Sequence, residues 1–405
     1  MRWQGALWAI WAAQLLSVAA MEMVSPFWPL FLQQQADLTA AELQFWSALA
    51  YLLPLAGAVL TAPLWGRLGD RYGHKWMFLR ALVVLGLTQA LMLYSQSLWM
   101  MVFSRVLQGL FAGSIAAAQA YALRQAPSSE QGFALGRLQS AVAAGSLLGP
   151  LLGGVLAQFH GYLSLFAAGA VLNWLPAVVL LFWLPRDQGS SALVKTKTAD
   201  PETAEKRCWQ GVILLVLAAI ALSQLAKRMP GTFFALYAQQ DLLASETLIG
   251  LLYAASGFTV LLTSAAWGRW FDRHGVQARQ RALPLICMAA AMTMCWQAFA
   301  EDWLSCLLVR LLWGCWLGAL LPLLFAWLKQ FAATDGLGLL IGVGHSASKT
   351  GGALGVALGA LVVSVVEPRW GFIAMALVYV VLAGLLMLAS RHPEQAAPAF
   401  LPQQR

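Results

Sequence analysis

Six charged side chains stand inside long apolar runs: Glu22, Arg105, Lys227, Arg228, Arg310 and Lys349. His345 precedes Lys349 by four residues, so on a helix the two share a face. A charge at the centre of a bilayer costs about 2.5–3.5 kcal/mol on the insertion scale, so each of these residues demands a reason. Five of the six are basic. Their joint presence predicts an electropositive cavity that suits an anionic, carboxylate-bearing ligand and repels lipophilic cations. We expect Trp28, Lys227, Arg228, Arg310, His345 and Lys349 to line it. Glu22 is the only acid well inside a run. Burial raises the pKa of a carboxyl and a neighbouring guanidinium lowers it, so a carboxyl whose surroundings alternate can load and release a proton. Glu22 is therefore expected to carry or sense a proton, with Arg105 modulating it. A structural ion pair between Glu22 and an arginine is the competing reading, and it accounts for one base only. Trp8, Trp11, Phe27, Trp28, Phe31, Phe233, Phe234 and Tyr237 cluster on two of the same runs. They read as walls for a planar ligand or, more plainly, as interfacial belts and lipid-facing filler.

Other chemistries find no residues to carry them. The five cysteines, Cys208, Cys287, Cys295, Cys306 and Cys315, form no CxxC or Cys/His metal spacing and read as packing residues. The five histidines are scattered and make no HExxH, so no metal and no cofactor is expected. Ser140 and Ser146 have no spaced histidine partner for nucleophilic catalysis, which argues against an intramembrane enzyme. No GxxxxGK[ST] loop exists, so ATP is not the driver.

The elements that must position the charged residues follow from composition. Of the 405 residues 60% are hydrophobic and 10% charged, with a mean hydropathy of +0.70. A soluble domain of this size carries about 25% charged residues, so a water-soluble fold is excluded. Disordered chains are poor in apolar residues, and a membrane β-barrel shows short alternating segments rather than long runs. A polytopic helical membrane protein remains. A span needs about 20 apolar residues, and the chain divides into twelve: 5–32, 42–65, 76–94, 98–121, 135–157, 162–184, 209–237, 247–267, 282–299, 303–328, 337–365 and 370–390. The first run exceeds a signal-peptide core and reads as a retained helix. With both termini cytoplasmic, nineteen of the 25 Lys and Arg fall in inner loops and only Arg369 in an outer one. That is a strong positive-inside pattern, and it explains the net charge of +8 without nucleic acid. The polar stretch 186–208 reads as a flexible cytoplasmic linker between an N-terminal six-helix bundle, 1–185, and a C-terminal one, 209–405.

The halves repeat. Gly66-Arg67-Leu68-Gly69-Asp70-Arg71-Tyr72-Gly73 returns as Gly268-Arg269-Trp270-Phe271-Asp272-Arg273-His274-Gly275, offset by 202. Arg105 to Gly109 returns as Arg310 to Gly314, offset by 205, and Gly149 and Gly153 return as Gly351 and Gly355, offset by 202. Three matches in order argue for internal duplication, an architecture found among secondary transporters.

The residues from Gly66 through His74-Lys75 resemble the signature loop of the major facilitator superfamily, G-x-L-x-D-R-x-G-R/H-K. Arg105-Val106-Leu107-Gln108-Gly109 is similar to its helix 4 motif, R-x-x-Q-G. Gly145, Gly149, Pro150, Gly153 and Gly154 match the helix 5 motif G-x-x-x-G-P-x-x-G-G, associated with twelve-helix proton-driven exporters. Pro26-Phe27-Trp28-Pro29 resembles the P-x-x-P end of helix 1 in that group. The copies in the second half are degraded: Gly352 stands for Pro150 and Trp313 for Gln108.

The resemblance implies two pseudo-symmetric six-helix bundles, with helices 1, 4, 7 and 10 lining a central cavity. It implies a gating role for Gly66, Asp70, Arg71, Gly73 and Lys75, and for Asp272 and Arg273, as a latch between the halves. The glycines of span 5 lie at i, i+4 and i+8, a stripe that admits a close neighbour. The resemblance places that packing between the halves. It further implies proton-coupled export of a small amphiphilic organic anion, for which carboxylate siderophores are a fitting class. Uptake of such an anion by proton symport is the alternative, and a channel is disfavoured by the duplicated loops. The expected setting is a monomer in the inner membrane, with a small molecule, protons and lipid as its partners.

Overall fold

A computed structural model describes residues 3–95, 97–127, 130–185, 205–331 and 337–390. The expected linker lies outside the described residues up to position 204. The described chain is helical: α1 (Trp3–Val24), α2 (Trp28–Gln35), α3 (Ala40–Tyr72), α4 (His74–Leu93), α5 (Leu98–Leu110), α6 (Ser114–Gln125), α7 (Gln131–His160), α8 (Tyr162–Trp183), α9 (Glu205–Arg228), α10 (Phe234–Gln240), α11 (Glu246–Ala298), α12 (Trp303–Lys329), α13 (Leu337–Val363) and α14 (Gly371–Ser390). Lipid offers no partner for a backbone N–H or C=O, so each apolar run must pair its own amides, which a helix does. Starts are set by short polar residues. Thr39 and Glu42 form a capping box on α3, and Asp302 accepts from the Ser305 amide at the head of α12.

Eleven stretches among the described residues are long and apolar enough to cross a membrane. The expected spans 8 and 9 are both carried by α11, 53 residues long, which stays helical where a loop was expected at 268–275. The two copies of the loop therefore differ. Gly73 adopts φ +94° and separates α3 from α4, whereas the backbone runs on through Gly275 as helix. Spans 1, 4 and 7, expected as single runs, are each broken. A 3-10 turn at Ser25–Phe27 around Pro26 splits the first, and one at Met229–Thr232 around Pro230 splits the seventh. In the fourth, α5 ends at Leu110 and Gly113, at φ +114°, is the N-cap from which α6 begins.

The chain groups into two compact units, Met1–Val194 with Gly231–Gly257, and Lys195–Pro230 with Phe258–Arg405. The second half of span 7 and the first part of α11 thus pack with the first six helices. In the first unit the core includes Leu7, Ile10, Phe78, Leu82, Tyr121, Leu138 and Leu180, drawn from α1, α4, α6, α7 and α8.

The duplication extends to packing. A side chain at Gly149 would meet the Ala19 carbonyl at 2.8 Å, and one at Gly351 would collide with the Ala221 carbonyl. Gly153 likewise abuts the Met23 carbonyl and Gly355 the Leu225 carbonyl. Both members of each contact are shifted by 202. Trp65 donates its indole N–H to the Leu110 carbonyl at 2.7 Å, and Trp267, 202 residues on, to the Cys315 carbonyl, 205 residues on, at 3.0 Å.

Candidate functional site

The site in the first unit is built on the break in span 1. The glycine stripe of α7 brings α1 against it backbone to backbone: Gly145 faces Leu15 and Ala19, Gly149 faces Ala19 and Glu22, and Gly153 faces Met23. The stripe therefore packs against the helix that carries Glu22 and not across to the other half, as the resemblance had implied. Small residues allow the closest approach, and α1 fills the bare face of α7. Gly154 and Pro150, one ridge further round, do meet α11: Gly154 abuts Glu246 and Thr247, and the Pro150 carbonyl abuts Gly250. Gln158 and Tyr162 add hydrogen bonds to Thr247 and Glu246 there.

Glu22 is half-buried and forms no ion pair among the described residues, where the pairs found are those of Asp70 with His74 and Arg124. The structural ion pair weighed as a competing reading is absent. Three residues after Glu22 the helix opens, and the Tyr51 hydroxyl is poised to donate to the Ser25 carbonyl or to the Gly231 carbonyl at 2.8 Å. One side chain from α3 thus reaches the breaks of spans 1 and 7 together. Tyr253 lies 202 residues after Tyr51, and its hydroxyl sits 4.0 Å from where a side chain on Gly231 would begin. Sequence reasoning did not single out either tyrosine. The signal was there in their offset, identical to that of the repeated loops.

Arg105 stacks on the Trp28 indole, its guanidinium carbon 3.9 Å from a ring centroid, and donates to the Gln108 side-chain oxygen. Trp28 is 1% exposed and packs edge-on against Phe31 and Phe166. Trp28 and Arg105 are therefore brought together.

The remaining cavity candidates lie in the second unit. Lys227, Arg228, His345 and Lys349 are exposed. The Arg228 stem runs beside Gly352, and the His345 ring lies 4.8 Å from Phe325. Arg310 is instead buried, at 1% exposure, with Trp313 5.1 Å from its guanidinium. Position 224, the counterpart of Glu22 at the offset of 202, is a glutamine.

The segment 66–75, expected as a loop, is helical on either side of Gly73; within it Asp70 accepts from Arg124 at 2.8 Å and lies 3.5 Å from His74. Lys75 is buried and donates to the Leu181 and Leu184 carbonyls, capping the end of α8, where a cation is favoured. Arg71 lies over the Tyr72 ring. These bonds tie α3, α4, α6 and α8 of one bundle to each other. Gly66 has open space around it. Arg273 is exposed, and Asp272 lies in helical backbone. No cluster of three or more metal-binding side chains occurs among the described residues.

Comparison with known proteins agrees with this architecture. The chain is 28% identical to the staphyloferrin B transporter of Staphylococcus aureus, covering 96% of this chain and 93% of that protein. It is 26% identical to a multi-drug resistance efflux pump PmrA homolog of Lactococcus lactis, covering 94% and 93%. Among solved structures, a bacterial homolog of the human lysosomal transporter Spinster, inward-facing and unoccupied, superposes with a TM-score of 0.77 at 13% identity over 98% and 99% of the chains. The family model of the Major Facilitator Superfamily matches residues 10–219 and again 216–405. Twice matched over nearly its whole length, the chain belongs to the Major Facilitator Superfamily: it is a multi-pass membrane transporter of small molecules and not an enzyme.

Proposed function

We propose that this transporter exports a small amphiphilic organic anion, siderophore-like in its carboxylates, in exchange for protons across the inner membrane. It works as a single chain with both termini cytoplasmic. The observation that carries the reading is Glu22: a half-buried carboxyl three residues before a helix break, without an ion-pair partner among the described residues. An intramembrane acid of this kind is a functional site by default. A carboxyl locked in a salt bridge would resist protonation, and this one is not locked. Its counterpart Gln224 cannot titrate, so one proton site serves two halves. Four exposed basic or imidazole side chains, Lys227, Arg228, His345 and Lys349, support an anionic substrate. The relative named as a multi-drug resistance efflux pump homolog supports the outward direction.

The test uses inside-out membrane vesicles. An acid interior should drive accumulation of the substrate, identified by comparing metabolites in the medium of wild-type and deletion cells under iron limitation. Glu22→Gln should abolish proton-driven uptake; a wild-type rate would remove the proposed role of Glu22. Replacing Lys227, Arg228 and Lys349 together by Gln should raise KM at least tenfold, and an unchanged KM would count against an anionic substrate.

A further inference from the structure

We propose that Arg80 is the pin of a hinge in span 4: it holds the span broken at Gly113, and its withdrawal lets α5 and α6 join into one helix. The junction is short. The Ala112 amide turns back to the Gly109 carbonyl, and Gly113 stands at φ +114°, which a glycine adopts without strain. A helix end leaves carbonyls without helical donors. Two side chains supply them here. Trp65 of α3 donates its indole N–H to the Leu110 carbonyl, and Arg80 of α4 donates from Nη2 to the Ala112 carbonyl at 3.0 Å. The guanidinium carbon lies 3.5 Å from a Trp65 ring centroid and 6.0 Å from that of Phe111, a residue of the junction itself.

The second half of the chain is a natural control. Trp65 returns as Trp267 at the offset of 202, and Leu110, Phe111 and Gly113 return as Cys315, Trp316 and Gly318 at the offset of 205. Trp267 makes the same indole bond to Cys315. Its ring lies 6.4 Å from Trp316, as Trp65 lies 5.5 Å from Phe111. Yet α12 runs unbroken from Trp303 to Lys329. Neither the glycine nor the indole therefore suffices to break a span. Arg80 is what the second half lacks: the offsets of 202 and 205 lead to Ala282 and Leu285.

The pin is loosely held. Arg80 Nε and Nη1 are buried and have no hydrogen-bond partner, an unfavourable state for charged donors. Arg80 stands six residues after His74, where α4 begins, so its long stem can carry the charge back towards that end. The Ala112 carbonyl is then free for a helical amide, and α12 shows that the same frame accepts a continuous span. The inner half takes up the change. Through Ala117, Ala118 and Tyr121 α6 packs into the core that includes Leu7 of α1 and Leu138 of α7, and its Arg124 holds Asp70 of α3. Arg80 is thus a positioning residue that acts on transport through α6.

The test is hydrogen exchange, read by mass spectrometry on the full-length protein in lipid nanodiscs. Closing the break gives its amides helical partners. Exchange over 110–116 should therefore slow about tenfold in Arg80→Leu, with 315–321 unchanged as the reference in the same molecule. Arg80→Met serves in its place should Arg80→Leu not fold. Arg80→Lys keeps a charge and a donor and should exchange as the wild type does. So should Trp65→Phe, which keeps the ring. Wild-type exchange over 110–116 in the Leu and Met variants overturns the pin, as does equal slowing in Trp65→Phe. The transport arm uses the vesicle assay: turnover should fall at least about tenfold in Arg80→Leu and less than about twofold in Arg80→Lys. Wild-type turnover in a folded Arg80→Leu overturns the role in transport. The exchange readout needs no substrate, so failure of the export reading leaves it standing.

Discussion

The Tyr51 hydroxyl has one proton and two carbonyls to give it to, Ser25 and Gly231. Neither carbonyl can donate, so the join between the two helix breaks depends on that single proton. Tyr51→Phe keeps the ring and removes the join. A buried hydrogen bond is worth about 1 kcal/mol net, and we expect turnover to fall several-fold with KM unchanged. Wild-type turnover would show that the join is only structural. Lys75 presents a different case. Its ammonium holds the last carbonyls of α8, and Lys75→Met leaves them uncapped. A loss of about 1–3 kcal/mol should appear as a lower melting temperature in detergent, and an unchanged one would show that the cap is dispensable. At this scale the sequence named Glu22, Arg105 and Trp28, because a charge or an indole in an apolar run is visible as such. It did not name Tyr51 or Tyr253, since uncharged polar residues in spans are common and only their neighbours make them special.

Helix packing gives the sharpest contrast between similar residues. Gly153 has the Met23 carbonyl against the place where a methyl would stand, whereas Gly136, on the same helix, has nothing within 4 Å. Gly153→Ala must push α1 away from α7, because the obstacle is backbone and cannot rotate aside. Overpacking of this kind costs about 1–3 kcal/mol. We expect lower yield and melting temperature for Gly153→Ala and for its counterpart Gly355→Ala, with Gly136→Ala at wild-type values. Equal behaviour of all three would mean that the stripe does not set the helix contact. The stripe was legible from spacing alone, but its partner was not. Spacing says that one face is bare, and only the fold says that α1 fills it and thereby fixes Glu22. The breaks at Ser25–Phe27 and Met229–Thr232 were signalled by Pro26 and Pro230. The one at Gly113 had no such mark, since a glycine in a membrane helix is ordinary until its φ is known.

For the whole molecule the testable expectation is orientation. Nineteen basic residues against one predict that the linker faces the cytoplasm. In a background with the five native cysteines replaced by alanine, Asp37→Cys should react with an impermeant maleimide added to intact cells. Gln188→Cys should react only after the membrane is opened. The reverse pattern would invert the topology and with it the direction of transport. The two compact units carry a related lesson. The sequence divides most simply at the linker, yet Gly231–Gly257 groups with the first six helices, since Gly154, Gln158 and Tyr162 meet Glu246, Thr247 and Gly250. Such contacts join residues about 90 apart, and no local pattern encodes them.

Sequence by itself determined the class, its helical character, the duplication and the family. Each follows from a cost that acts on one segment at a time: lipid forbids an unpaired amide, a mid-span charge and a translocated basic loop, whatever the neighbours are. Tertiary structure alone decided which helix the glycine stripe receives, that Glu22 stands without an ion pair among the described residues, and that Tyr51 spans two breaks. These depend on backbone approach and on donor counts between distant segments, and such quantities exist only once the helices have packed.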